Sequence, residues 1–106
     1  MRLHYLIDTH GGPYNRPIPT SSEVGAFIDQ LFREAELAEE VGFDALLVPE
    51  RHGRTECFFP SPLILLAALA ARTSRARIGS YILVLPLHHL INHGNLLGHM
   101  HGIVQR

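Results

Sequence analysis

Gly42-Phe43-Asp44-Ala45-Leu46-Leu47-Val48-Pro49-Glu50-Arg51-His52 is the stretch whose reading decides the fold. Glycine is the commonest residue just past a helix end, so Gly42 marks a stop, and Phe43 is placed to fold back onto the last turn. The four apolar residues Ala45 to Val48 then form a short buried strand, which Pro49 ends. An acid, a guanidinium and an imidazole follow at once. In parallel α/β sheets and barrels the carboxyl ends of the strands carry the ligand sites, because their loops converge on one open face. Glu50, Arg51 and His52 are therefore the first functional candidates.

Elements of the same kind flank this stretch. Leu3 to Ile7 reads as a first strand, followed by a loop from Asp8 to Pro19 punctuated by Gly11, Gly12, Pro13, Pro17 and Pro19. A loop of this length is either part of a substrate mouth or a surface excursion. Thr20 with Glu23 three residues on makes a capping-box pattern, and Val24, Phe27, Ile28, Leu31, Ala35 and Ala38 repeat at helical spacing. The charges of this helix, Glu39 among them, lie mostly off that stripe and read as a solvated outer face. After the Gly53 to Pro60 loop, Ser61 is placed to cap and Pro62 to open a second helix running to Ala71, apolar on nearly all sides and so expecting cover on most of them. Arg77 to Leu85 completes the pattern as a third strand. The order βαβαβ predicts an α/β chain with parallel strands and right-handed crossovers. Beyond Asn92 no helical or strand period continues.

Composition narrows the functional classes. The 106 residues are 46% hydrophobic and 18% charged with net charge −1, which describes one small globular domain. That balance offers no general attraction to nucleic acid or to an anionic membrane. Arg72, Arg75 and Arg77 form a local cluster that reads as cations near a helix C-terminus. A single cysteine, Cys57, excludes an intrachain disulfide and fits a reducing compartment; with no export signal and no apolar run long enough to span a bilayer, a cytoplasmic protein is expected.

Three pieces together resemble the bacterial luciferase-like, flavin-dependent monooxygenases. They are Glu36-Leu-Ala-Glu-Glu-Val-Gly-Phe-Asp-Ala-Leu-Leu-Val-Pro-Glu-Arg-His-Gly53, then Pro60-Ser-Pro-Leu-Ile-Leu-Leu-Ala-Ala-Leu-Ala-Ala-Arg-Thr-Ser-Arg-Ala-Arg-Ile-Gly79, then Val84-Leu-Pro-Leu-His-His89. The resemblance covers residues 1–91 and leaves 92–106 as a divergent tail rich in His and Gly. It implies the first third of a (β/α)8 TIM barrel, incomplete here, since a full barrel takes about 250 residues and often builds its phosphate site after strands 7 and 8. The implied activity is oxidation of a small organic substrate by dioxygen with reduced FMN, or alternatively a deazaflavin coenzyme, and a flavin reductase as a possible partner. In the isolated chain that activity is expected to be impaired. Arg51 stands where the luciferases carry a histidine, so light emission is not implied, whereas His52 matches the second histidine of that motif.

On this resemblance His52 and Glu50 are the catalytic candidates: an imidazole near neutral pKa holds or relays a proton and a carboxylate orients it. Tyr81, Ile82, His88 and His89 are the cofactor-binding candidates and Arg51 the substrate contact; no metal site is assigned. The family implies a non-prolyl cis peptide at Tyr81 and Ile82, but with strand 4 and a bound flavin not assured, an ordinary trans bond is expected. Other readings remain open. The chain is alternatively a truncated, non-catalytic remnant or assembly module, and its unpaired strand edges predict self-association. Five of the eight histidines fall between His88 and Arg106, so His89 with His93, or His99 with His101, is a possible metal pair. Cys57 with His52 is a possible nucleophile pair.

Overall fold

The computed structural model describes residues 1–59 and 61–88. Three short strands, β1 (His4–Leu6), β2 (Ala45–Val48) and β3 (Arg77–Ser80), alternate with two helices, α1 (Ser21–Glu40) and α2 (Pro62–Ala70), and a 3-10 turn spans Leu85–Leu87. The strands lie in the order β1-β2-β3 and all pairs are parallel, with Tyr5 opposite Leu46 and Leu46 opposite Ile78. This is the βαβαβ arrangement expected from the sequence, and its three carboxyl ends emerge on one side.

On central β2, Leu46 and Val48 share one face and are fully buried, while on the other face Ala45 is buried and Leu47 half-buried. Leu31 and Ala35 of α1 and Leu63, Leu65, Leu66 and Leu69 of α2 close over the sheet with Ile7. Only Ile64 among the leucines and isoleucines of α2 faces outward. Both ends of α1 follow the sequence signals. Thr20 and Glu23 form the capping box reciprocally. At the other end Gly42 has φ +96°, the Gly42 amide donates to the Glu39 carbonyl at 3.2 Å and the Phe43 amide to the Ala38 carbonyl at 2.9 Å, the two bonds of a Schellman stop. None of the described helices is long and apolar enough to cross a membrane.

Four details differ from the sequence reading. The third strand ends at Ser80 rather than Leu85, because its continuation meets no strand to pair with and the Val84 amide instead donates to a side chain, the Glu50 carboxylate, at 2.6 Å. The peptide between Tyr81 and Ile82 is cis, not trans, and the Tyr81 amide donates to the Val48 carbonyl at 2.8 Å. Ser61 makes no capping hydrogen bond, and Pro62 alone opens α2. Glu39, expected on a solvated outer face, instead accepts from three successive amides, Ser74 at 3.0 Å, Arg75 at 2.7 Å and Ala76 at 2.7 Å. It ties the loop before β3 to the end of α1. The arginines serve the same corner: Arg75 donates to the Glu39 carbonyl at 3.0 Å, and Arg72 lies over the Phe32 ring and bonds Glu36. Arg75 thus meets the C-terminal turn of α1, while Arg72 directly follows the C-cap of α2 at Ala71.

Partial burial, the largest single influence on the Glu39 carboxyl, pushes its pKa up, but the amide bonds from Ala76, Arg75 and Ser74 together prevail and hold it below the ordinary glutamate value. The folded pKa being the lower one, this contribution to stability is complete above the unfolded value and lost as pH falls through the folded one. Glu39→Ala should lower the unfolding free energy by about 1–2 kcal/mol at neutral pH, the lower part of the range for charge-assisted bonds because water still reaches the group. Urea titrations at neutral and acidic pH check this: the difference from wild type must shrink on acidification, and an equal difference at both would refute the assignment.

Candidate active site

The exits of the three parallel strands place Asp8, Thr9 and His10 after β1, Glu50, Arg51 and His52 after β2, and Tyr81 and Ile82 after β3 on one face. Glu50 is its centre. Its side chain is fully buried, and three donors from two different exits converge on it. His52 Nε2 lies 2.6 Å from Oε1, His88 Nε2 lies 2.8 Å from the same oxygen, and the Val84 amide donates to Oε2 at 2.6 Å. Burial pushes the Glu50 pKa up most strongly, but the His52, Val84 and His88 hydrogen bonds combined hold it below the ordinary value. A carboxylate so held has no proton to donate, so each imidazole carries hydrogen on Nε2. The Nδ1 of His52 is then the basic nitrogen, on a ring 40% exposed toward the face. His88 is more enclosed, at 19%. Tyr81 and Ile82, 61% and 66% exposed, add an apolar shelf at the end of β3.

Glu50, His52 and His88 are thus brought together, with Tyr81 and Ile82 on the same face. His89, the fourth cofactor candidate, lies outside the described residues, as do His93, His99 and His101 of the tail. Arg51, expected to meet substrate, is half-buried and engaged with a residue not singled out in the sequence, His10. Asp8 Oδ1 accepts from His10 Nδ1 at 2.6 Å, which leaves His10 Nε2 to accept from the Arg51 guanidinium. Burial raises the Asp8 pKa most, yet the His10 hydrogen bonds and the charges of His10 and Arg51 bring it below its ordinary value. The signal for Asp8 and His10 was present: they follow the first strand as Glu50 and His52 follow the second. Cys57, the possible partner of His52, is buried and pairs with His10 through a backbone bridge, while His52 Nε2 is on Glu50.

The long loop after β1 is pinned rather than loose. Arg16 donates to the Gly11 carbonyl at 2.6 Å and to Glu23 at 2.6 Å, and stacks over Phe58 at 5.0 Å. Glu23 is held at a pKa of about 2, first by the Thr20 amide and then by Arg16. Gly11 is required here, since a Cβ would stand 2.4 Å from the Phe58 ring. A groove of about 480 Å³ lined by Arg2, Glu39, Phe43, Asp44, Arg75 and Arg77 lies at the opposite, amino end of the strands, away from His52 and His88.

Comparison with known proteins places this face in a family context. The chain is 39% identical over 62 residues, 56% of its length, to 4-hydroxyprotoasukamycin monooxygenase of Streptomyces nodosus subsp. asukaensis. It is 38% identical over 55 residues, 52% of its length, to the uncharacterized protein y4vJ of Sinorhizobium fredii. It spans only 17% and 16% of those two proteins. Among solved structures, the monooxygenase RslO1 of Streptomyces bottropensis superposes over 99% of this chain and 30% of its own, with TM-score 0.83 and 25% identity. The oxygenating constituent of 3,6-diketocamphane monooxygenase from Pseudomonas putida, a type II Baeyer-Villiger enzyme solved with FMN, shares the fold at TM-score 0.78 and 23% identity over 98% of this chain and 27% of its own. The luciferase-like monooxygenase family profile matches residues 1–94, and with the parallel βαβαβ order and the convergent strand exits, this chain belongs to the luciferase-like monooxygenases.

Proposed function

We propose that this face is part of the flavin and substrate site of a monooxygenase that oxidises a small organic molecule with dioxygen, reduced FMN being the cofactor. The observation that carries the reading is the single buried carboxylate of Glu50 holding His52, His88 and the Val84 amide together at the strand exits. Bound reduced flavin supplies the electrons that activate dioxygen. Glu50 positions the two rings and fixes their tautomers, and His52 Nδ1 is the group able to take or hold a proton at the face. Tyr81 and Ile82 suit the flat ring system of a flavin, offering exposed apolar surface at the end of β3. The same shelf would accept a deazaflavin.

The phosphate is another matter. The arginines described on this side are all engaged: Arg16 with Glu23 and Gly11, Arg51 with His10, and Arg54 over the Tyr14 ring and near Glu56. Each charge-assisted bond missing from a phosphate grip removes about 1.5–3 kcal/mol, tenfold or more in affinity. The chain by itself is therefore expected to be catalytically impaired and to bind FMN weakly. A titration followed by NMR tests both points. Ring protons of His52 and His88 should shift while those of His4, at the amino end of β1, do not, with a dissociation constant above the micromolar range. Submicromolar binding to a monomer, or shifts that spare His52 and His88, would overturn the reading.

A second reading, as an assembly module, is favoured by one observation. Leu6, Tyr81, Ile82, Leu85 and Leu87 are each 45% exposed or more, beside the open edges of β1 and β3. Exposed apolar surface beside unpaired strand edges promotes association. Light scattering across a concentration series should show mass rising above that of one chain, and a monodisperse monomer at high concentration would contradict this.

A further inference from the structure

The loops after β1 and β2 bring together three donors that sequence spacing does not connect. His10, Glu56 and Cys57 each present a ligating atom within 4.8 Å of the other two. Backbone pairing holds them there: the Gly11 amide donates to the Glu56 carbonyl at 2.8 Å, and His10 bridges Cys57. Glu56 is 2% exposed, and its Oε2 is buried with no hydrogen-bond partner. Its other oxygen is only 3.8 Å from Arg54. A buried carboxylate oxygen without a donor is costly unless something positive fills the space beside it. Asp8 stands behind His10, accepting from Nδ1, in the relation that orients a metal-binding imidazole through its other nitrogen.

We propose that His10 Nε2, Glu56 Oε2 and the Cys57 sulfur form a binding site for a borderline divalent cation of the zinc type, separate from the Glu50 site. The imidazole, carboxylate and thiolate set suits zinc or cobalt and disfavours magnesium or calcium. Donors of a tetrahedral zinc stand roughly 3.3–3.8 Å apart, as bond lengths of about 2.0–2.3 Å require. A closing movement on the order of 1 Å therefore suffices, and three protein ligands leave a fourth position open. The Cys57 thiol loses its proton to solvent as sulfur binds the cation, so the carboxylate and thiolate together balance its charge. The Arg51 guanidinium, which bonds His10 Nε2, must leave that nitrogen for a cation to reach it.

The probe is Co2+, added to the reduced protein. One equivalent should bind with a thiolate-to-cobalt charge-transfer band, and Zn2+ but not Mg2+ should displace it. Cys57→Ser should abolish the band, Glu56→Gln and His10→Gln should each weaken binding about tenfold or more, and circular dichroism should confirm that each variant is folded. Arg51→Ala should tighten binding severalfold, since it removes both a competitor for Nε2 and a nearby positive charge. Replacing His93, His99 and His101 by glutamine should leave the band and the affinity unchanged. The proposal is overturned by failure of Co2+ to bind, by binding without the thiolate band, by loss of binding in the tail variant, or by unchanged or weaker binding in Arg51→Ala.

Discussion

The buried carboxylate of Glu50 is the interaction on which the functional face depends. A fully enclosed anion is tolerated only when its lone pairs are met, and here they are met by two imidazole N–H groups and one backbone amide. Those donors come from both sides of the β2 and β3 exits. Neutralising one charge by hydrogen bonding thus also sets the path of the chain after Ser80 and the orientation of both rings. Chain geometry and site chemistry share one cause.

The parallel sheet supplies what Glu50 needs. Because β1, β2 and β3 run in one direction, their exits meet on one face and the helices return over the sheet. The amino end is secured differently, by Glu39 accepting from Ser74, Arg75 and Ala76 and by Arg75 bonding the last turn of α1. The two ends thus use the same device, a carboxylate collecting donors from another element, for different ends. At the amino end it fastens a loop; at the carboxyl end it also presents a basic nitrogen.

A second layer of polar contacts surrounds the face. Asp8 orients His10, His10 receives Arg51, and Arg16 clamps the long loop against Phe58 and α1. Arg51 is thereby tied to the loop after β1 through His10. The luciferase-like family profile covers this whole region, while the chain spans less than a third of the solved monooxygenases it resembles.

Local signals were readable in the sequence because they act between near neighbours. The capping box of Thr20 and Glu23, the glycine stop at Gly42, the helical apolar stripe through Leu31 and Ala35, and the apolar run ended by Pro49 depend on contacts a few residues apart, and each appears where the sequence places it. What only the tertiary structure decided are contacts between segments distant in sequence. Glu39 meets Ser74 across 35 residues, Glu50 meets Val84 across 34 and His88 across 38, and Arg51 meets His10 across 41. No period or spacing encodes such pairs, because they form only once hydrophobic burial has brought the strands into register. The same reason hid the approach of His10, Glu56 and Cys57, which local pattern assigns to two unrelated loops and the parallel sheet brings to one place.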